Sequence, residues 1–125
     1  MSQSPHVLNW FEIPVTDFAR AKAFYEAVLG RPIEPLVMGP ITMGFLSSDP
    51  NAVGGAIVSG EGVTPSLHGT TVYLNGGDDL APLLARVEKA GGSIAVHKTE
   101  IGNDFGFFAL FVDTEGNKVG LHSMG

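Results

Sequence analysis

Few residues in this chain have the type and spacing to do acid–base or nucleophilic chemistry. Cysteine is absent, so no thiolate nucleophile, thiolate metal site or disulfide framework can form. The histidines are His6, His68, His97 and His122; no two stand at i, i+2 or i, i+4, and no H-E-x-x-H occurs. There is no G-x-S-x-G and no Walker sequence, and Gly102-Asn103-Asp104-Phe105-Gly106 reads as a loop, not a phosphate cradle. Carboxylates remain. Glu12 lies in the run Trp10–Val15, where Phe11, Ile13 and Val15 fall on one face and Trp10, Glu12 and Pro14 on the other. An ordinary strand carboxylate faces water or a salt-bridge partner. On a covered face beside Trp10 it would be partly desolvated, with its pKa raised, and suited to accept a proton or anchor a cationic ligand. Trp10 itself is either plain packing or a stacking surface for a flat ligand. Asp78-Asp79 reads as the cap of a helix N-terminus, not as a catalytic pair.

These residues depend on the elements around them. Trp10–Val15 runs directly into a helix that Thr16 or Asp17 starts and Gly30, followed by Pro32, ends. Phe18, Ala21, Tyr25, Val28 and Leu29 recur at helical spacing, with Arg20, Lys22 and Glu26 on the wet side. Pro32–Met38, Ile41–Ser48 and Gly54–Ser59 follow as short β-like runs, and Gly60–Pro65 is a polar connection. The order then repeats: a strand over His68–Leu74, and a helix carrying Leu80, Leu83, Leu84 and Val87, stopped by Gly91-Gly92. Strands follow over Ser93–Thr99, Phe107–Val112 and Asn117–Ser123. Phe107–Val112 is apolar on both faces and is expected to be fully buried, and Phe105, Phe107, Phe108 and Phe111 are expected in the core. Met1–Pro5 is polar and expected to be loose.

Both halves therefore read β-α-β-β-β. With 125 residues the chain is one domain, its modules spanning about 6–60 and 67–123. The expected class is α+β, two βαβββ modules forming a curved mixed sheet around a central cavity with the helices outside. A net charge of −6 argues against a nucleic-acid or anionic-membrane surface, because no basic stripe exists to neutralise phosphates. With no membrane-length apolar run and no signal-like N-terminus, the expected location is the cytoplasm.

The stretch WFEIPVTDFARAKAFYEAVLG, the paired modules and the ending DTEGNKVGLHS together resemble the glyoxalase/bleomycin resistance protein/dioxygenase superfamily, also called vicinal oxygen chelate (VOC) proteins. The resemblance spans about His6 to Ser123 and is specific for fold. It is uninformative about function, because that superfamily holds isomerases, lyases, dioxygenases, epoxide-opening transferases and drug-sequestering proteins.

The resemblance implies metal ligands on the first and last strand of each half. Carried onto this chain those positions are Trp10, Val72 (or Thr71, one register away), Gly54 or Gly55, and Gly120. Apart from Thr71, a poor ligand, none offers a donor. The expected cofactor is therefore none, and the enolate and oxygen chemistry of metal-dependent members loses its Lewis acid. A displaced site built from Glu12, His122 and His68 is the alternative; the plainer account of His122 is a hydrogen-bonded histidine. His68 would cap its strand, and His97 would sit on an outer strand. The residues expected to line the cavity are Trp10, Glu12, Val72, Gly120 and His122. The expected function is metal-free binding of a small organic molecule, with Glu12 as general base if a lyase, isomerase or dioxygenase-type reaction occurs. Members commonly dimerise, so a homodimer is expected.

Overall fold

A computed structural model describes residues 6–47 and 49–125. Met1–Pro5 and Ser48, the expected end of a strand, lie outside the described residues. The order is β1 (Trp10–Pro14), α1 (Phe18–Leu29), β2 (Glu34–Met38), β3 (Ile41–Phe45), β4 (Gly54–Ser59), β5 (Tyr73–Asn75), α2 (Ala81–Lys89), β6 (Ser93–Glu100), β7 (Phe107–Val112) and β8 (Lys118–Ser123). The two modules form two four-stranded mixed sheets, ordered β1-β4-β3-β2 and β5-β8-β7-β6. In each, the first strand runs parallel to the last and the remaining pairs are antiparallel.

Local chemistry explains α1. Asp17 is extended at the N-cap and its carboxylate accepts the Arg20 N–H at 3.0 Å. Gly30 turns left-handed at φ 69°, a conformation that costs glycine nothing, and its N–H closes on the Glu26 carbonyl. The second helix starts differently. Its N-cap is Leu80, with no side-chain cap, and Asp79 instead accepts the Ala81 N–H one position earlier in a local turn. Arg86 and Lys89 lie in its last turn, where cations suit the dipole, and Arg86 Nε reaches back to the Val28 carbonyl at the end of α1.

Apolar residues of both modules merge in one core. Ile13, Phe24, Tyr25, Val28 and Ile57 of the first pack with Leu74, Leu84, Val87, Phe111 and Leu121 of the second. Phe24 and Tyr25 meet at 4.9 Å, and Phe111 lies 5.9 Å from Phe24. The helices pack on each other as well as on the sheets. The modules are therefore joined by their helix-bearing faces, and on the opposite face of the first sheet Met43, Ala56 and Val58 form a second, smaller buried cluster while the rest of that face is open.

That arrangement corrects several expectations. β7 is buried on one face only: Ala109 and Phe111 are buried, whereas Phe108, Leu110 and Val112 lie half-covered on the open face. Of the four phenylalanines expected in the core, Phe111 is fully buried and Phe105 is exposed. The strand expected over His68–Leu74 begins only at Tyr73, because Ser66–Val72 runs as loop between the modules. His68 thus caps no strand, and its N–H donates to the Ser66 hydroxyl. His97 lies on β6, an edge strand.

Candidate functional site

Register decides what each open sheet face presents. Trp10 pairs with Gly54 across the parallel β1–β4 ladder, and Glu12 with Ala56. In the second module Tyr73 pairs with Gly120, and Asn75 with His122. Each glycine lies beneath the ring of its partner. A Cβ on Gly54 would come within 3.2 Å of the Trp10 indole, and one on Gly120 would collide with the Tyr73 ring. An aromatic side chain therefore lies over a glycine at the same place in both modules.

The counterpart of Trp10 is thus Tyr73, not the expected Val72 or Thr71. Val72 packs against the core, while its carbonyl accepts the Gly120 N–H at 2.8 Å. The cause lies in the second helix. Trp10 stands eight residues before the first helical residue Phe18, and Tyr73 eight before Ala81 (18 − 10 = 81 − 73). Counting back from Asp79 as though it were the N-cap shifts the register by one. A count from the true start of α2 would have found Tyr73.

The expected site residues are not gathered in one place. Glu12 and Val72 share a cleft of about 320 Å³ between the modules, with Phe11, Thr70 and Lys118. Trp10 lines a second cleft on the open face of the first sheet, with Phe45, Asp49 and Gly54. His122 lines a third, of about 400 Å³, with Tyr73, Ile101 and Phe108. Glu12 is exposed and its carboxylate accepts the Trp10 indole N–H at 3.3 Å. The desolvation expected of it is thus absent in a single chain. His122 Nε2 donates to the Phe105 carbonyl at 2.7 Å, as the plainer reading of that residue has it.

The family cation fits poorly here. Its paired positions hold an indole, a phenol and two glycines, which bring no carboxylate or imidazole to a common point. Among the described residues no three His, Asp or Glu side chains converge either, so Glu12, His122 and His68 assemble no displaced site within one chain.

The strongest polar cluster is structural and was not anticipated. Asp113 and Asn117, in the turn between β7 and β8, are buried. The Asp113 carboxylate accepts the Tyr25 hydroxyl at 2.7 Å, the backbone N–H groups of Glu115 and Asn117, and the Asn117 amide. The Asn117 amide also donates to the Pro14 carbonyl at 2.6 Å. Next to it, the Glu115 carboxylate accepts the N–H groups of Thr16 and Asp17 and pairs with Arg20 at 2.7 Å. Enclosure pushes the Glu115 pKa up. Arg20, the two N–H groups and the Thr114 hydroxyl more than offset this and hold it at about 2. Burial, with the Asp113 charge beside it, pushes the Tyr25 hydroxyl well above the usual phenol range. D-T-E-G-N is legible in the sequence as a turn. Its grip on α1 is not, because the partners lie more than 85 residues away.

The family model of the Glyoxalase/Bleomycin resistance protein/Dioxygenase superfamily matches residues 7–121. A glyoxalase I variant from Zea mays superposes with a TM-score of 0.71 at 20% identity over 99% of this chain. The chain spans about half of that protein, 48%. A glyoxalase I from Leishmania major, described as trypanothione-dependent, gives a TM-score of 0.67 at 22% identity, covering 95% of this chain and 87% of that one. A glyoxalase/bleomycin resistance protein from Albidiferax ferrireducens gives 0.65 at 18% identity, covering 94% and 98%. No curated protein matches the chain.

Proposed function

Because the chain belongs to the Glyoxalase/Bleomycin resistance protein/Dioxygenase superfamily, we propose that it binds a small organic molecule against its open sheet faces, without the metal on which the family's enzymes rely. The observation that carries this reading is the pair of rings over glycines, Trp10 on Gly54 and Tyr73 on Gly120. They turn the positions of a cation site into two flat apolar surfaces. Gly120 acts here as space for Tyr73, and His122 and Val72 border the neighbouring hollows.

The working unit in this reading is a homodimer. All five residues of β2 are exposed, with Val37 at 70% and Leu36 and Met38 also open. Leu36, Val37 and Met38 make the end of this edge strand beyond Glu34 and Pro35 apolar, which favours pairing with a second copy there. The other sheet's outer edge, β6, carries His97, Lys98 and Glu100 and breaks register twice, both of which discourage pairing. The net charge of −6 disfavours nucleic acid and anionic lipid as partners. Among the described residues no helix is long and apolar enough to cross a membrane. A cytoplasmic location belongs to the same reading and draws on the absence of cysteine.

The test combines elemental analysis of the purified protein with melting shifts on adding Ni, Zn, Mn or Fe salts and a library of small organic molecules. Organic compounds are expected to raise the melting temperature, and metal salts to leave it unchanged. A stoichiometric bound metal overturns the reading. The second reading is an enzyme of lyase, isomerase or dioxygenase type with Glu12 as general base. Its support is the exposed carboxylate of Glu12 on the same face as Trp10, within reach of a bound ligand. Glu12→Gln separates the two: lost turnover with retained binding favours the enzyme.

A further inference from the structure

Trp10 has company on its open sheet face. Its indole meets Phe45 edge-on, with ring centroids 6.0 Å apart and planes at 67°. With Asp49, Pro50 and Gly54 these rings line a cleft of about 320 Å³. Register places Glu12, Ala56, Phe45 and Glu34 in one row across β1, β4, β3 and β2. Ala56 is buried in a small cluster with Met43 and Val58, against which Phe45 packs. Adjacent strands lie about 4.8 Å apart, which sets Glu12 roughly 10 Å from the strand carrying Phe45.

Three carboxylates thus surround one aromatic pair. Asp49 stands in the cleft, Glu12 accepts the indole N–H, and Glu34 lies directly across from Phe45. Among the described residues no lysine or arginine forms an ion pair with any of the three; Arg20 pairs with Glu115, Lys22 with Glu26 and Lys98 with Asp79. Arg31 borders the next groove together with Glu34, so Glu12 and Asp49 carry the uncompensated charge. Aromatic faces attract cations through their quadrupole, and indole does so best. A compact ammonium holds its water tightly, whereas a delocalised or quaternary cation gives it up cheaply and stacks on a ring.

We propose that this face of the first module takes an organic cation, a flat or quaternary positive head with an apolar body. The inference rests on the small-molecule reading above and narrows it by charge. The second module lacks the same chemistry: its corresponding row is Asn75, His122 and Phe108, with Lys118 further along β8. The overall negative charge of the chain adds a long-range pull on a cationic ligand.

Trp10 is the only tryptophan, so its fluorescence reads this site directly. Three probes of one ring shape, 1-methylquinolinium, quinoline and quinoline-4-carboxylate, are titrated at mildly alkaline pH with calorimetry in parallel. The cation is expected to bind about tenfold more tightly than quinoline, with the carboxylate weakest. That margin narrows as salt is raised to about 0.5 M. The double variant Glu12→Gln, Asp49→Asn changes two exposed side chains; circular dichroism checks that the fold is kept. It should cut the cation's margin to about threefold or less and leave quinoline within about twofold. Equal binding of cation and quinoline, an unchanged margin in the double variant, or no binding of the cation overturns the proposal. Neutral or anionic hits in the melting-shift library, with no cation among them, also sink it while leaving the small-molecule reading intact.

Discussion

Trp10 and Tyr73 occupy the same place in two copies of one strand plan, each opposite a glycine on the parallel neighbour and each lying over it. The residues around them part company at once. The first ring is set among Phe45, Glu12 and Asp49, with Glu34 beyond Phe45 on β2, and the second among Phe108, Asn75 and His122. The grip between the modules is equally one-sided. The β7–β8 turn of the second module holds the start of α1 through Glu115 and its middle through Asp113, whereas α2 begins without a side-chain cap. Backbone pairing makes the halves alike, and it constrains only where a side chain stands. What stands there, and therefore the charge of each surface, is free to differ.

The comparison can be broken hardest at Asp113. Asp113→Ala leaves the Tyr25 hydroxyl and the Asn117 amide without their buried acceptor, and is expected to cost about 3 kcal/mol in urea unfolding. A loss below about 1 kcal/mol would mean that the Asp113 hydrogen bonds add little to the hold between the modules. Glu115 comes next. Its carboxylate sits at about 2 in the folded chain against 4.5 when free. The stability it contributes is therefore fully present above about pH 4.5 and is lost as pH falls toward 2. With solvent around the half-exposed Arg20, this amounts to about 1–2 kcal/mol. Glu115→Gln should lower stability at neutral pH by that amount and flatten its decline in acid. An unchanged acid slope would assign the decline to other carboxylates. The smallest effects lie at the two glycines. Gly120→Ala must push the Tyr73 ring aside; because that ring is 51% exposed it can swing, and the cost should be about 1 kcal/mol. Gly54→Ala meets the indole only at 3.2 Å and should cost a few tenths of a kcal/mol at roughly unchanged fold. Equal costs would deny the closer seating of the second ring.

The sequence disclosed much of this and missed the rest for identifiable reasons. Asp17, the apolar stripe of α1 and Gly30 made that helix readable, because caps and periodicity are local. Strand β4 and strand β7 have the expected bounds, since turn residues bracket both. Alternation also put Trp10 and Glu12 on the face away from α1. It carries no information on whether that face is covered, so it leaves both a water-facing and a desolvated Glu12 open; the structure has it exposed. Tyr73 was missed because Asp79 resembles an N-cap and is not one. Phe45 is not legible as a neighbour of Trp10 because only the register of β3 on β4 and of β4 on β1 brings it there, and a single strand's pattern does not contain that register; Asp49 reaches the same cleft from the loop after β3.

The clamp on α1 also has a consequence for how the molecule is made. The amides of Thr16 and Asp17 wait for a carboxylate 99 and 98 positions further on. Both helices and most strands of the two modules are therefore synthesised before the start of the first helix is anchored. Until Glu115 is in place, that helix has only its Asp17 cap and its own apolar stripe to hold it. A turn of the second module thus completes a helix of the first.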